Sequence, residues 1–201
     1  MASSVAYQPE QTRVSIEEYW AIEKDSEIKH EWIDGQIYEL SEIKNMAGAT
    51  TRHNRIMMTV GNLLFNQLRG KTCEPLGSDQ RLKVPSTGMR AYPDIVVVCP
   101  PIDYDEELPD TITNPKIIIE ILSPSTQRKD RTRKWFNYQR LDSLTDYLMI
   151  AQDERLIEHY TRHEGGGWDY SIAEEEGEVL LNSIECKLNL DDVYERVEME
   201  R

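Results

Sequence analysis

Two carboxylates stand where an apolar strand should not want them. Asp94 opens the aliphatic run Ile95–Val98, and Glu120 interrupts the run Ile117–Leu122. Near-continuous aliphatic runs of this length read as strands covered on both faces. An unpaired carboxylate in such a strand is costly to bury, so something must offset it. If the two strands are neighbours, both side chains can converge on one cation. Hard oxygen donors with open water positions suit Mg²⁺ or Mn²⁺. Such a metal polarises a phosphoryl oxygen and lowers the pKa of a bound water, while a nearby lysine stabilises the attacking hydroxide or the developing charge. The structural alternative makes Asp94 a turn cap after Pro93 and pairs Glu120 with an arginine.

Downstream, Asp130, Lys134 and Tyr138 are spaced by four, which puts them on one face of a helix. The same stretch, Gln127–Lys134, carries five basic residues and one acidic residue, and could contact backbone phosphates beside the site. Trp135 either stacks on a base or packs inward, and packing is favoured. Arg52 and Arg55 allow the same two readings. His159 and His163 have an i,i+4 spacing that would suit a metal only on a helix, and they fall in a predicted strand-to-turn segment.

These residues need elements to position them. Ser15-Ile-Glu-Glu18 is a capping box for a helix over residues 16–27. Residues 29–33 and 36–40 flank Asp34-Gly35, a hairpin turn dipeptide. Ile56, Val60, Leu63, Leu64 and Leu68 recur at three and four, marking an amphipathic helix over 51–68 that Gly70 ends. Extended segments follow near 72–76 and 79–84, then Ile95–Val98 and 116–122, then a polar helix over 126–140. Residues 146–151, 156–161 and 168–172 read as strands, and a short helix opens near Asn189. The expected fold is α/β, a central mixed sheet flanked by helices. The helices over 16–27 and 51–68 are placed on one side, and antiparallel strands from 146 to 172 extend the sheet.

The chain has 201 residues, a formal net charge of −14 and a mean hydropathy of −0.62. It suits one domain over residues 15–201 behind a flexible N-terminus over 1–14. No stretch is long and apolar enough for a membrane helix, and no export signal is evident. The acidic total argues against a protein that coats nucleic acid non-specifically. Locally, residues 50–83 and 127–134 are each +4, whereas 101–110 is −5 and 153–178 is −7. A basic face on an acidic body follows, with the acidic runs as solvated loops. Cys73, Cys99 and Cys186 are odd in number and widely spaced, indicating neither a disulfide framework nor a zinc ribbon and favouring a reducing cytoplasm.

The order Tyr92-Pro93-Asp94, then Glu120-Ile-Leu-Ser-Pro-Ser-Thr126, then Asp130, Lys134 and Tyr138 resembles the PD-(D/E)XK nuclease superfamily. Within it the chain is similar to the restriction-endonuclease-like family named Uma-two, over residues 15–194, including Glu31 beside the Asp34-Gly35 hairpin and His53 on the second helix. Pro-Asp alone is common; the ordered set is more specific. The resemblance implies a restriction-endonuclease-like fold and a metal, Mg²⁺ or Mn²⁺, held by Asp94, Glu120 and Ile121. It implies that Glu31 assists at the metal or its water, with His53 and Gln80 lining the site. Arg128, Lys129, Arg131 and Arg133 would meet nucleic acid. One departure matters: the superfamily lysine two residues after the strand carboxylate is Leu122 here, and the resemblance implies that Lys134 takes over.

The leading expectation is a metal-dependent endonuclease acting on DNA, working as a homodimer. Two others stand beside it: a non-catalytic binding module on a degenerate nuclease fold, motivated by Leu122 and the acidic charge, and a metal-dependent hydrolase of RNA or another phosphoester.

Overall fold

The computed structural model describes residues 13–40, 42–43, 46–47, 50–124 and 126–199, so the expected flexible N-terminus lies outside it except for its last two residues, and so does Ser125. Helix α1 (Ile16–Glu23) starts at the expected capping box, with Ser15 Oγ accepting from Glu18 N–H at 3.2 Å and Glu18 accepting from Ser15 N–H at 2.7 Å. Strands β1 (His30–Ile33) and β2 (Gln36–Glu39) form the hairpin, whose Asp34 and Gly35 take φ of 53° and 79°. A short ladder of β3 (Glu42–Ile43) and β4 (Met46–Ala47) precedes α2 (Thr51–Gln67), capped by Thr50.

Next come β5 (Glu74–Gly77), β6 (Arg81–Lys83), β7 (Arg90–Ala91), β8 (Ile95–Val98), β9 (Thr111–Ile112) and β10 (Ile117–Leu122). One helical run follows, made of α3 (Gln127–Lys129), a π-helical turn over Asp130–Lys134 and α4 (Trp135–Tyr138). Strands β11 (Asp146–Ala151), β12 (Leu156–Arg162) and β13 (Trp168–Glu174) come next. The hairpin of β14 (Glu178–Leu181) and β15 (Cys186–Asn189) and helix α5 (Leu190–Tyr194) close the order.

Six strands form the main sheet in the order β13-β12-β11-β10-β8-β5, in which only β10 and β11 run parallel. A second, five-stranded sheet has the order β2-β1-β7-β6-β9. Strand alternation sorts the main sheet's side chains between two layers. Ile95, Val97, Ile117, Ile119 and Ile121 pack against Ile56, Val60 and Leu64 of α2 and against Val193 of α5. Val96, Val98, Ile118, Leu122 and Met149 face the other way, onto Ile33, Leu82 and Ala91 of the five-stranded sheet. Both faces are covered, which is why β8 and, apart from Glu120, β10 read as continuous apolar stretches.

The structure corrects the sequence reading in three places. Helix α1 rests on β1 of the five-stranded sheet, with Tyr19 Oη donating to His30 O, so it does not share a side with α2. Cys73 and Cys99 form a disulfide that continues the β5–β8 ladder one pair beyond Glu74 and Val98, while Cys186 is a buried free thiol. Register placed the two cysteines side by side across 26 residues of sequence, so the cysteine count does not speak for a reducing compartment. The acidic run 101–110 is not wholly solvated: Asp105 is buried and binds Lys83 Nζ at 2.5 Å and Arg90 Nη2 at 3.0 Å.

Candidate active site

The β8–β10 register pairs Ile95 with Ile119, and continuing it by one residue sets Asp94 across from Glu120. The period of two puts both on the face turned toward the five-stranded sheet. Asp94 is fixed at both oxygens: Oδ2 accepts from Ile121 N–H at 2.7 Å, and Oδ1 lies 3.3 Å from His53 Nε2.

Glu120 meets the helical run. Its Oε1 accepts from Lys134 Nζ at 2.9 Å and from Tyr138 Oη at 3.0 Å. Lys134 also lies 2.8 Å from Glu31 Oε1 and 3.4 Å from Asp130 Oδ1, and is buried. The residues at spacings of four do share the site, but through the π-helical turn over Asp130–Lys134. Such wider turns inside α-helices are frequent at functional sites. Glu31, fully buried on β1, binds Lys129 Nζ at 2.6 Å through Oε2. The hairpin and the helical run are thus joined through two lysines on one carboxylate.

The other sequence candidates are placed differently. Gln80 donates to the carbonyls of Arg81 and Asp110. Arg128 is exposed, but Lys129 is engaged by Glu31 and lies over the Tyr38 ring, Arg131 binds Glu158 and Gln127, and Arg133 binds Gln36 and Tyr38. Three of the four basic residues therefore hold the helical run to the protein. Trp135 packs inward, stacked on Tyr147 and Tyr160. His159 lies on β12 and pairs with buried Asp146 at 2.9 Å, so the His159–His163 spacing builds no helical metal pair. The sequence reading missed Thr50 and Gln152, whose side chains meet at 2.5 Å beside His53. The available signals were a Thr before an amphipathic helix and a polar residue at the end of the apolar β11.

Four carboxylates, Glu31, Asp94, Glu120 and Asp130, share this cluster with two ammonium groups, Lys129 and Lys134. The imbalance shows in the acidities. Burial, together with the charges of Asp130, Asp94 and Glu31, pushes Glu120 up to about 8 against the pull of Lys134. Asp130 is raised too, chiefly by burial. Glu31 moves the opposite way: burial raises it, but Lys134 and Lys129 outweigh burial and hold it below the ordinary carboxylate value. Lys134 is desolvated, yet Glu120 and Glu31 keep it protonated well beyond the usual lysine range.

With all four carboxyls ionised the cluster would carry a surplus of two negative charges, the charge of one divalent cation. Among the described residues no three His, Cys, Asp or Glu side chains form a ready ligand cage. The residues that could hold the cation are those expected from the sequence, the carboxylates of Asp94 and Glu120 with the Ile121 carbonyl, and such a hard-oxygen set would suit Mg²⁺ or Mn²⁺ rather than zinc.

Residues 16–191 match the family model Uma2, described as "Putative restriction endonuclease". An uncharacterized protein of Synechocystis sp., slr1290, is 32% identical over 182 residues, covering 90% of this chain and 92% of that one. A second uncharacterized Synechocystis protein, sll1609, is 30% identical over 151 residues, covering 75% of this chain and 82% of its own. In structure, the chain is similar to a crystal structure from Anabaena variabilis described as "a putative nuclease belonging to DUF820". The TM-score is 0.73, with 92% of this chain and 99% of that chain covered at 16% identity, a likeness of fold. With a mixed α/β fold of that kind and a family match running from α1 into α5, the chain belongs to the Uma2 family.

Proposed function

We propose that this protein is a Mg²⁺- or Mn²⁺-dependent endonuclease that hydrolyses phosphodiester bonds in DNA. The observation that carries this reading is the approach of Lys134 to Glu120, with Asp94 on the neighbouring strand. The superfamily's strand position for lysine is occupied by Leu122, buried in the core, and the ammonium arrives from the helical run instead.

Asp94, Glu120 and the Ile121 carbonyl would hold the cation, which when bound supplies Lewis-acid stabilisation to the phosphate and acidifies water. The chain's own residues do the rest. Lys134 keeps its proton, so it acts as a fixed positive charge toward an attacking hydroxide or the developing phosphorane oxygens. Glu31 and Asp130 hold that ammonium from two further sides. Tyr138 fixes Glu120 Oε1, leaving the rest of the carboxylate to the cation. Work as a homodimer belongs to this proposal as well. The net charge of −14 and the internal pairing of Lys129, Arg131 and Arg133 favour contact with DNA over a short stretch.

Supercoiled plasmid incubated at low salt with Mg²⁺ or Mn²⁺ tests the reading, comparing wild type with Glu120→Gln and Lys134→Ala. Nicked or linear product from wild type alone supports it, with folding of the variants checked by circular dichroism. Activity unchanged in Glu120→Gln removes the site. Silence in all three folded proteins shifts the weight to a binding module, and competition by RNA or small phosphodiesters identifies a different phosphoester substrate.

A further inference from the structure

His53 holds Asp94, and its own aim is set in an unusual way. Its Nε2 lies 3.3 Å from Asp94 Oδ1, but its Nδ1 is buried without a hydrogen-bond partner. Imidazoles at metal sites are normally oriented by a hydrogen bond at the second ring nitrogen. Here the ring's direction depends on the backbone at the start of α2. That backbone is tied down: His53 N–H donates to Thr50 Oγ1 at 3.1 Å, and the Thr50 hydroxyl donates to Gln152 Oε1 at 2.5 Å.

Capping a helix requires only the acceptor side of a threonine hydroxyl. The donated hydrogen is therefore an extra tether, and its acceptor is a buried side chain directly after β11, the strand parallel to the one carrying Glu120 and Ile121. Ile121 N–H closes the circuit on Asp94 Oδ2. The ring Gln152, Thr50, His53, Asp94 and Ile121 joins α2, β8, β10 and β11 around one carboxylate.

We propose that Thr50 and Gln152 are positioning residues: they fix the start of α2 so that His53 Nε2 stays against Asp94 Oδ1 and holds that carboxylate as a divalent cation needs it. This rests on the metal-dependent reading above.

The test pairs two measurements at one fixed pH. Mn²⁺ is titrated calorimetrically into wild type, Gln152→Leu, Thr50→Ala and Thr50→Ser. Ring ¹H–¹⁵N correlation spectra of the four histidines are recorded without metal, His53 being assigned with His53→Gln. Gln152→Leu and Thr50→Ala are expected to weaken Mn²⁺ binding about tenfold and to move the His53 ring resonances selectively. Thr50→Ser keeps both hydrogen bonds and is expected to match wild type. Thr50 is exposed, so Thr50→Ala serves if Gln152→Leu fails to fold. Wild-type Mn²⁺ affinity in the two tether variants, with His53 resonances unmoved, overturns the positioning role and leaves the nuclease reading standing. Loss in Thr50→Ser equal to that in Thr50→Ala also overturns it, since the methyl group would then be responsible. A wild type that binds no Mn²⁺ overturns both.

Discussion

Lys134 Nζ lies 2.8 Å from Glu31 Oε1, a bond that joins the π-helical turn to the first hairpin where no strand ladder does so. The same ammonium serves Glu120 and Asp130, so removing it leaves three buried carboxylates without their shared counterion. Breaking one side of a buried ion pair costs about 3–5 kcal/mol. Lys134→Met is expected to lower unfolding stability by that amount in urea. Adding Glu120→Gln should recover part of the loss, because a Glu120 left without the ammonium must take up a proton to stay buried. A Lys134→Met stability within about 1 kcal/mol of wild type would show that the network is not held by this lysine.

Glu31 makes the fold acid-sensitive in a defined direction. Its carboxyl is held below the ordinary value of 4.5 by Lys134 and Lys129 despite burial. The folded state therefore binds that proton less readily than the unfolded chain does. The resulting stability is complete above the unfolded value and is lost as pH falls through the folded one. Glu31→Gln is expected to be less stable at neutral pH but to show a shallower decline below pH 4.5. Urea midpoints recorded from pH 6 downwards, on about a half-unit grid, check this. Parallel curves for the two proteins would mean that Glu31 does not titrate differently in the folded state.

The cross-strand pair Cys73–Cys99 closes a loop with a sequence separation of 26. A loop of that length stabilises the native state by about 3–4 kcal/mol in the chain-entropy account. Reduction, or the double change Cys73→Ser and Cys99→Ser, is expected to lower stability by roughly this much. Thiol counting in denaturant before reduction should find one reactive thiol, Cys186, and three afterwards. Three thiols in the unreduced protein would remove the disulfide.

Local signals reached the elements but not the junctions between them. Ser15 and Glu18, Asp34-Gly35 and the apolar stripe Ile56, Val60, Leu64 each encode a cap, a turn or a face within a few residues, and each appears as read. The two-residue strands Arg90–Ala91 and Thr111–Ile112 carry no period of their own and exist because the five-stranded sheet supplies partners. At the site, Asp94 and Glu120 were legible because a charge in an apolar strand is conspicuous. The disulfide, the placement of α1 and the Thr50–Gln152 tether depend on register and packing across 26 or more residues in two of the three cases, which no short window contains. The internal partners of Arg131 and Arg133 were hidden for the same reason: Glu158, Gln36 and Tyr38 are distant in sequence, and no short window shows that these guanidinium groups bond within the protein.

Leu122 offers a direct test of the lysine assignment. It follows Glu120 by two residues on β10 and so shares its face, about 6.6 Å along the strand, within reach of a lysine side chain. Leu122 is packed in the core with Ile118 and Met149, so Leu122→Lys alone adds a buried ammonium and is expected to destabilise the protein. In a Lys134→Met background the new charge instead replaces the one removed, beside the same surplus of carboxylates. The double variant is therefore expected to be more stable than the sum of the single changes predicts, a coupling of about 1–3 kcal/mol. On the proposed nuclease reading it should also regain plasmid nicking that Lys134→Met would lose, since that reading calls for a positive charge beside Glu120 rather than for a lysine at one position. Additive stabilities with no recovered nicking would mean that Lys134 acts through contacts a strand lysine cannot reproduce, with Glu31 and Asp130 foremost among them.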